Sequence, residues 1–162
     1  MLRILTLCHG NICRSPLAEV LIEAAINADP HLAGRVAVSS AGTSNEHAGE
    51  GMHANSAAIL KARGLRTDHC ARLLRTELAR QQDLILAADR WNLRDARRIL
   101  ANEVAPPDVH LIRDYDPAAS GADLADPWGH PISAYERTER EITDAIPGLI
   151  AILRAKAANL EF

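Results

Sequence analysis

The fold of this chain is decided by one stretch near its start, which reads Leu2-Arg3-Ile4-Leu5-Thr6-Leu7-Cys8-His9-Gly10-Asn11-Ile12-Cys13-Arg14-Ser15-Pro16. The apolar run at 2–7 predicts a buried strand. Pro16 suits the first turn of a helix, and apolar residues at helical spacing predict that this helix covers 16–28. The chain therefore begins with a strand, a short polar loop and a helix.

Strands and helices continue to alternate after this first unit. The sequence predicts strands at 35–40, 83–88 and 109–112, and helices at 52–63 and 90–101. Gly64 is expected to end the second helix. A long last helix is predicted from an apolar face formed by Ile132, Tyr135, Ile142, Ile146, Leu149 and Leu153, with a kink at Pro147. This alternation predicts an α/β fold of three layers, a flavodoxin-like (Rossmannoid) arrangement of four parallel strands between helices, in one domain over 1–162.

The position of the site follows from this fold. Ligands of parallel α/β sheets bind beyond the carboxyl ends of the strands. The chemistry is therefore expected in the loops after Leu7, Ser40, Ala88 and Ile112.

The composition argues against several classes of function. Hydrophobic residues make up 48% of the chain and charged residues 24%, which is typical of a globular protein. A net charge of -3 without a polybasic run argues against nucleic-acid or membrane-surface partners. The chain has no long apolar run and no signal-peptide pattern, so we expect a cytoplasmic location. Its three cysteines do not suggest a secreted disulfide framework.

The first loop has the pattern Cys-x5-Arg, from Cys8 to Arg14, followed by Ser15. A tight loop before a helix directs backbone N–H groups into one concavity, and the helix N-terminus adds positive potential. This potential favours the nucleophilic thiolate of Cys8, to which Ser15 can donate a hydrogen bond. Arg14 can clamp a phosphate with two parallel hydrogen bonds. The residues expected to bind phosphate or substrate in this loop are His9, Gly10, Asn11, Ile12, Cys13 and Ser15.

Cleavage of a phosphate ester also needs a proton donor for the leaving oxygen. The long segment 113–130 lacks periodicity, and loops of this length in compact domains are usually functional. Within it, Asp126 is followed by a proline that stiffens the loop and by Trp128, whose ring can form one wall of the entrance. Asp116 precedes a proline as well, so the residues alone leave both aspartates as candidates.

Five segments resemble the low-molecular-weight protein tyrosine phosphatases, and together they extend over nearly the whole chain. They are 8–16, 39–43, 68–72, 88–92 and 126–129. The resemblance implies that Cys8 is the nucleophile, Arg14 the phosphate clamp and Asp126 the general acid. Family members often have two aromatic residues after Asp-Pro, whereas this chain has Trp128 and then Gly129. One aromatic wall at the entrance of the active site is therefore missing or is supplied by another segment of the chain.

The resemblance also implies supporting roles. Asn11, Ser40 and His69 would form a hydrogen-bond network under the loop that holds Asn11 in a strained conformation, with His69 in a buried His-x-x-Arg segment. Cys13 would form a reversible disulfide with Cys8, and the alternative is a small buried residue under the helix. Cys70 is expected to be structural.

Several alternatives stay open. Arsenate reductases share this fold and loop, but those with a thiol relay need cysteines after the third strand, where this chain has none. Phosphoarginine phosphatases typically have threonine at the position of Ile12. A non-catalytic phosphate-binding module would need neither the thiol nor the acid. No metal or organic cofactor is required, and the cysteine and histidine spacing matches no zinc finger. The expected partners are phosphotyrosine proteins, with a bacterial tyrosine kinase as one candidate, and inorganic phosphate is the product.

Overall fold

The computed structural model describes residues 1–159. Its strands are β1 (Leu2–Cys8), β2 (Val36–Gly42), β3 (Leu84–Ala87) and β4 (Asp108–Leu111). Its helices are α1 (Arg14–Asn27), α2 (Ala54–Ala62), α3 (Thr76–Arg80), α4 (Arg90–Ile99) and α5 (Ile132–Asn159), with a 3-10 helix at Ile112–Tyr115. None of these helices is both long and apolar enough to cross a membrane.

The strands form one parallel sheet in the order β2-β1-β3-β4. Alternate side chains of β1 enter two different cores, as a strand period of two requires. Leu2 and Ile4 pack in the core that includes α1 and α5, whereas Leu5 and Leu7 pack in the core that includes α3 and α4. The predicted α/β fold, with a four-stranded parallel sheet between two helical layers, is confirmed.

The element boundaries differ from the predicted ones by a few residues. Helix α1 begins at Arg14, two residues before Pro16, and β2 continues to Gly42. Helix α3 was not predicted, because its five residues are too few to show a helical period. Helix α5 continues through Pro147, and the kink expected there stays a prediction.

Helix α2 ends as the sequence predicts. Gly64 has a positive φ of 71°, a conformation that glycine adopts without steric cost. Its N–H donates to the carbonyl of Lys61, and the N–H of Leu65 donates to the carbonyl of Leu60. These two bonds are those of a Schellman motif, which satisfies the last carbonyls of a helix.

The segment 113–130 is held in place although it lacks regular structure over most of its length. Asp114 accepts hydrogen bonds from the backbone N–H groups of Leu111 and Gly121 at 3.0 and 2.8 Å. Leu124 is fully buried, and its N–H donates to the carbonyl of Ala88 at 2.8 Å. The loop is therefore attached to the end of β3, beside the carboxyl edge of the sheet.

Helix α5 packs closely on the 3-10 helix at Gly148. A Cβ atom at this position would overlap the backbone carbonyl of Tyr115. Because the obstructing atom belongs to the backbone, it cannot rotate away. Gly148 is therefore required for this approach.

We expect Gly148→Ala to lower the free energy of unfolding by about 2 kcal/mol, because the overlap outweighs the gain of up to about 1 kcal/mol in helix propensity. Urea denaturation of the two proteins measures this difference. Gly51→Ala is the matched control, since the nearest atom to its added Cβ would be the His69 carbonyl oxygen at 3.9 Å. Equal stability of Gly148→Ala and wild type would contradict the close packing.

Candidate active site

The loop between β1 and α1 has its carbonyl groups turned outward. The carbonyls of Cys8 and His9 accept from the N–H groups of Thr43 and Ser44 at 3.0 and 2.9 Å. Three further carbonyls accept from outside the loop: Ile12 from the N–H of His53, Asn11 from Nε2 of His69, and Cys13 from Oγ of Ser56. In the part of the chain that the structure describes, no side chain caps the N-terminus of α1. This arrangement leaves the backbone N–H groups of the loop to face its interior, which creates a site for an anion.

Asn11 holds the centre of the loop in a left-handed conformation, with φ of 59°. Within residues 1–159 it is the one non-glycine residue with a positive φ. Its Nδ2 donates to Oγ of Ser15 at 2.8 Å and to Oγ of Ser40 at 2.9 Å. Its Oδ1 accepts from the N–H of Arg72 at 3.0 Å. These bonds stabilise a backbone conformation that otherwise costs about 1–3 kcal/mol.

The end of β2 approaches this loop through Gly42. A Cβ atom there would lie 2.7 Å from the carbonyl oxygen of His9 and 3.0 Å from the N atom of Asn11. A glycine is therefore needed for the end of β2 to pack this closely against the loop.

Cys8 lies at the bottom of the concavity and is 3% exposed. Its Sγ lies 3.0 Å from Oγ of Ser15. Ser15 Oγ accepts from Asn11, so its own hydrogen can be donated either to the sulfur at 3.0 Å or to the carbonyl of Ala41 at 3.4 Å, and the sulfur is the nearer acceptor. The serine can therefore stabilise a thiolate on Cys8.

Arg14 is buried and anchored on one side. Its Nη1 donates to Oδ2 of Asp89 at 2.8 Å and to the carbonyl of Leu124 at 2.9 Å. Burial opposes the charge, but nearby Cys8 and Asp89 raise the pKa of Arg14 above its usual value. The guanidinium therefore remains charged beside the sulfur. Within the described residues its Nε and Nη2 have no hydrogen-bond partner, and they are available to a ligand.

Asp126 and Trp128 lie at the entrance of a pocket of about 90 Å³. The lining residues are Cys8, His9, Gly10, Ile12, Cys13, Arg14, Glu46, His47, Asp126 and Trp128. Oδ1 of Asp126 accepts from the N–H of Trp128 at 3.1 Å. Asp116, the other candidate acid, is not among the lining residues and instead accepts from the N–H of Ala118 at 3.0 Å.

A second wall of the pocket comes from the loop after β2, which the sequence analysis did not assign. The rings of His47 and Trp128 have centroids 5.5 Å apart. His47 also packs on Gly10, and its Nδ1 lies 2.6 Å from Oε2 of Glu50. The rule that ligands bind beyond strand ends predicted that this loop borders the site. No local pattern in the sequence identified His47 or its neighbour Glu46 as pocket residues.

Asp89 is another residue whose role the sequence analysis missed. Its Oδ1 accepts from the N–H of Asn92 at 2.9 Å and thereby caps α4, while its Oδ2 binds Arg14. The cap is visible in the sequence, as an aspartate before a helix. The contact with Arg14 is tertiary and spans 75 residues along the chain.

The three cysteines occupy different environments, and all are free thiols. Cys13 is buried with its Sγ 3.5 Å from the hydroxyl of Tyr135, and burial raises its pKa to about 11. The expectation that Cys70 is structural is wrong, because the residue is exposed and belongs to neither hydrophobic core. Similarly, the His-x-x-Arg segment is not buried as expected, since His69 is half-buried and Arg72 exposed. Within residues 1–159, no group of histidine, cysteine and carboxylate side chains is arranged to hold a metal.

Comparison with known proteins agrees with this geometry. A family profile for low molecular weight phosphotyrosine protein phosphatases matches residues 3–159. The low molecular weight protein-tyrosine-phosphatase of Streptomyces coelicolor is 37% identical over 154 residues, which cover 94% of this chain and 93% of that protein. Low molecular weight protein-tyrosine phosphatase A of Mycobacterium tuberculosis is 38% identical over 151 residues, with coverage of 91% and 89%.

A crystal structure of a protein tyrosine phosphatase from Entamoeba histolytica, with Hepes in its active site, superposes with a TM-score of 0.84 at 25% identity. The superposition covers 96% of this chain and 99% of that one. Fold, loop and sequence agree, and the chain belongs to the low molecular weight phosphotyrosine protein phosphatase family.

Proposed function

We propose that this enzyme hydrolyses phosphotyrosine in proteins through a phosphocysteine intermediate on Cys8. The observation that carries the proposal is the position of Cys8, Arg14 and Asp126 around one small pocket. The outward carbonyls of the loop support it further, because the inward N–H groups match the oxygens of a phosphate.

In the first step, the thiolate of Cys8 attacks phosphorus and forms an S–P bond. The bond between phosphorus and the tyrosine oxygen breaks, and Asp126 gives its proton to that oxygen. In the second step, Asp126 is a carboxylate and accepts a proton from a water molecule that attacks phosphorus. The S–P bond breaks, the thiolate of Cys8 is restored with the help of Ser15, and inorganic phosphate leaves.

Arg14 and the loop amides stabilise the charge on the equatorial phosphate oxygens in both transition states. Asp89 is a positioning residue in this mechanism, because it orients Arg14 without touching the substrate. Asn11, Ser40 and His69 act in the same indirect way by holding the loop in its open, cup-shaped conformation.

The shape of the entrance favours an aromatic ester. Trp128 and His47 border the pocket with rings inclined at 50° to each other, and Ile12 adds an apolar side chain. These surfaces suit the flat ring of a tyrosine, whose length also lets its phosphate reach Cys8 at the bottom. We infer that the physiological substrates are phosphotyrosine proteins, a bacterial tyrosine kinase being one candidate. We further propose a cytoplasmic location, since a reactive thiol is best maintained in a reducing compartment.

Substitution of the nucleophile and the acid tests the mechanism. In the presence of EDTA, Cys8→Ser should lose all measurable turnover of p-nitrophenyl phosphate and of a phosphotyrosine peptide. Asp126→Asn should slow the peptide reaction by about 10²–10³-fold. Its effect on p-nitrophenyl phosphate should be smaller, because p-nitrophenolate leaves without a proton.

Asp116→Asn is the matched control and should keep wild-type rates. Loss of activity in this variant, with retention in Asp126→Asn, would assign the acid to Asp116 instead. Wild-type protein that is inert towards esters but reduces arsenate with a thiol donor, or that hydrolyses only phosphoarginine, would overturn the proposed function.

Asp89→Asn tests the positioning of Arg14. The asparagine can still cap α4, so the free energy of unfolding should change by less than about 1 kcal/mol. Because the guanidinium loses its anionic anchor, kcat/KM should fall by about 10–100-fold, and competitive inhibition by inorganic phosphate should weaken in parallel. Asn92→Ala is the control that weakens the capping box alone. If Asn92→Ala weakened phosphate inhibition as much as Asp89→Asn, the effect would come from α4 and not from Arg14.

The cysteines should differ in their reaction with iodoacetamide. A thiol with a pKa of about 11 is protonated at neutral pH, so Cys13 should react slowly at pH 7 and faster only as the pH rises towards 11. Cys8 should react at pH 7 with loss of activity, and inorganic phosphate should protect it. Peptide mass spectrometry of a Cys70→Ser protein measures both sites without labelling of the exposed thiol. Equal labelling of Cys13 and Cys8 at pH 7 would contradict this assignment.

A further inference from the structure

The exposed side of helix α4 carries an unusual concentration of positive charge. This ten-residue helix contains four arginines and one aspartate, in a chain whose net charge is -3. Asn92 and Ala96 are buried on its inner side. The outer side is formed by Arg90, Trp91, Arg94, Arg97 and Arg98, all exposed, and we call it the Trp91 face.

Trp91 is the one large apolar residue of this face. Its side chain is 61% exposed, and the guanidinium of Arg94 lies 4.3 Å from the ring centroid. A stacked guanidinium is held flat while its N–H groups remain free to bind carboxylates. Tryptophan and arginine are also the residues that most often dominate protein interfaces. The pair is therefore preorganised for a partner that has both apolar and anionic groups.

The positive charge of the face is only partly neutralised. Arg90 pairs with Asp123 and Arg98 with Asp95, both at 3.2 Å. Arg94 and Arg97 have no carboxylate partner within residues 1–159, and Arg97 donates only to the carbonyl of Val109 at 3.3 Å. Arg94 and Arg97 lie about one turn apart on the helix, and their uncompensated charges complement an acidic partner.

The Trp91 face is close to the active site. Helix α4 begins immediately after Asp89, which binds Arg14, and Trp91 follows two residues later. Two residues span at most about 7 Å, so the Cα of Trp91 lies within that distance of the Cα of Asp89. The N–H of Arg90 also donates to Asp123 at 3.0 Å, in the loop that carries Asp126. A polypeptide leaving the pocket can therefore reach the face within a few residues.

We infer that the Trp91 face docks an acidic segment of the phosphoprotein substrate, a few residues away from the phosphotyrosine. The inference rests on the proposed function, since it assigns a second contact to the same substrate. A substrate held at the pocket presents its acidic segment to the face at a high effective concentration, so weak exposed contacts are sufficient. An acidic polypeptide fits better than a lipid surface, because the face offers one aromatic ring and no apolar stripe to enter a bilayer.

The test compares substrates with and without an acidic segment. One peptide has neutral residues around phosphotyrosine, and two others carry four glutamates beginning about four residues before or after it, a separation that the chain can span. Wild type should have a kcat/KM about tenfold higher for one of the acidic peptides than for the neutral peptide. The difference should come from a lower KM and should disappear at high salt. Arg94→Ala/Arg97→Ala and Trp91→Ala should lose it at any salt, with p-nitrophenyl phosphate and the neutral peptide turned over at wild-type rates.

Arg75→Ala/Arg140→Ala is the matched control, because it removes the same charge from exposed positions outside the face. This control should keep the preference for the acidic peptide. Thermal unfolding of each variant checks that the fold is intact. Retention of the preference in Arg94→Ala/Arg97→Ala, or its equal loss in the control, would overturn the inference.

A binding measurement separates this inference from the proposed activity. In Trp128→Phe, Trp91 is the one remaining tryptophan of the chain. A non-phosphorylated glutamate-rich peptide, titrated into the millimolar range that matches the effective concentration of a tethered segment, should change the fluorescence of Trp91 in a saturable, salt-sensitive way. This response should occur even if phosphotyrosine hydrolysis fails. No response to the peptide would refute the docking site. A response only to vesicles containing phosphatidylserine would assign the face to a membrane and also refute it.

Discussion

The site depends on a single constraint, which is that the carbonyl groups of the loop after β1 point away from its interior. One carbonyl turned inward would bring negative potential towards both the thiolate and a bound phosphate. The donors that prevent this come from the loop after β2, from the residue before α2, from Ser56 within α2 and from His69. Residues that never touch phosphate are therefore as necessary to the cup as Cys8 itself. Gly42 belongs to this group, because only its lack of a side chain allows β2 to come so near.

The sequence was informative wherever the determining contacts are local. The strands and the longer helices follow from periodicity, and the anion cup follows from eight consecutive residues between a strand and a helix. Contacts between distant segments left no such pattern. The pairing of Asp89 with Arg14 and the wall formed by His47 depend on the packed sheet edge. Cys70 shows a different error, since it was expected to be structural and lies at the surface.

Resemblance and structure contributed different parts of the assignment of Asp126. From the residues alone, Asp126 was favoured only narrowly over Asp116, because each precedes a proline. The structure separates them by position, with Asp126 at the pocket and Asp116 bonded within its own turn. The entrance is likewise composite, with Trp128 on one loop and His47 on another. The proposed selection of an aromatic ester therefore depends on segments that are more than 70 residues apart in sequence.

The contact between Arg14 and Asp89 joins parts of the molecule that the sheet separates. Arg14 is the first residue of α1, in the layer with α5, and Asp89 caps α4, in the opposite layer. Fraying of either helix end would release the guanidinium and, under the proposed mechanism, disable the site. Catalytic turnover therefore requires both helical layers to be folded at the same time. A partly unfolded form that keeps only one layer would show no activity in any assay.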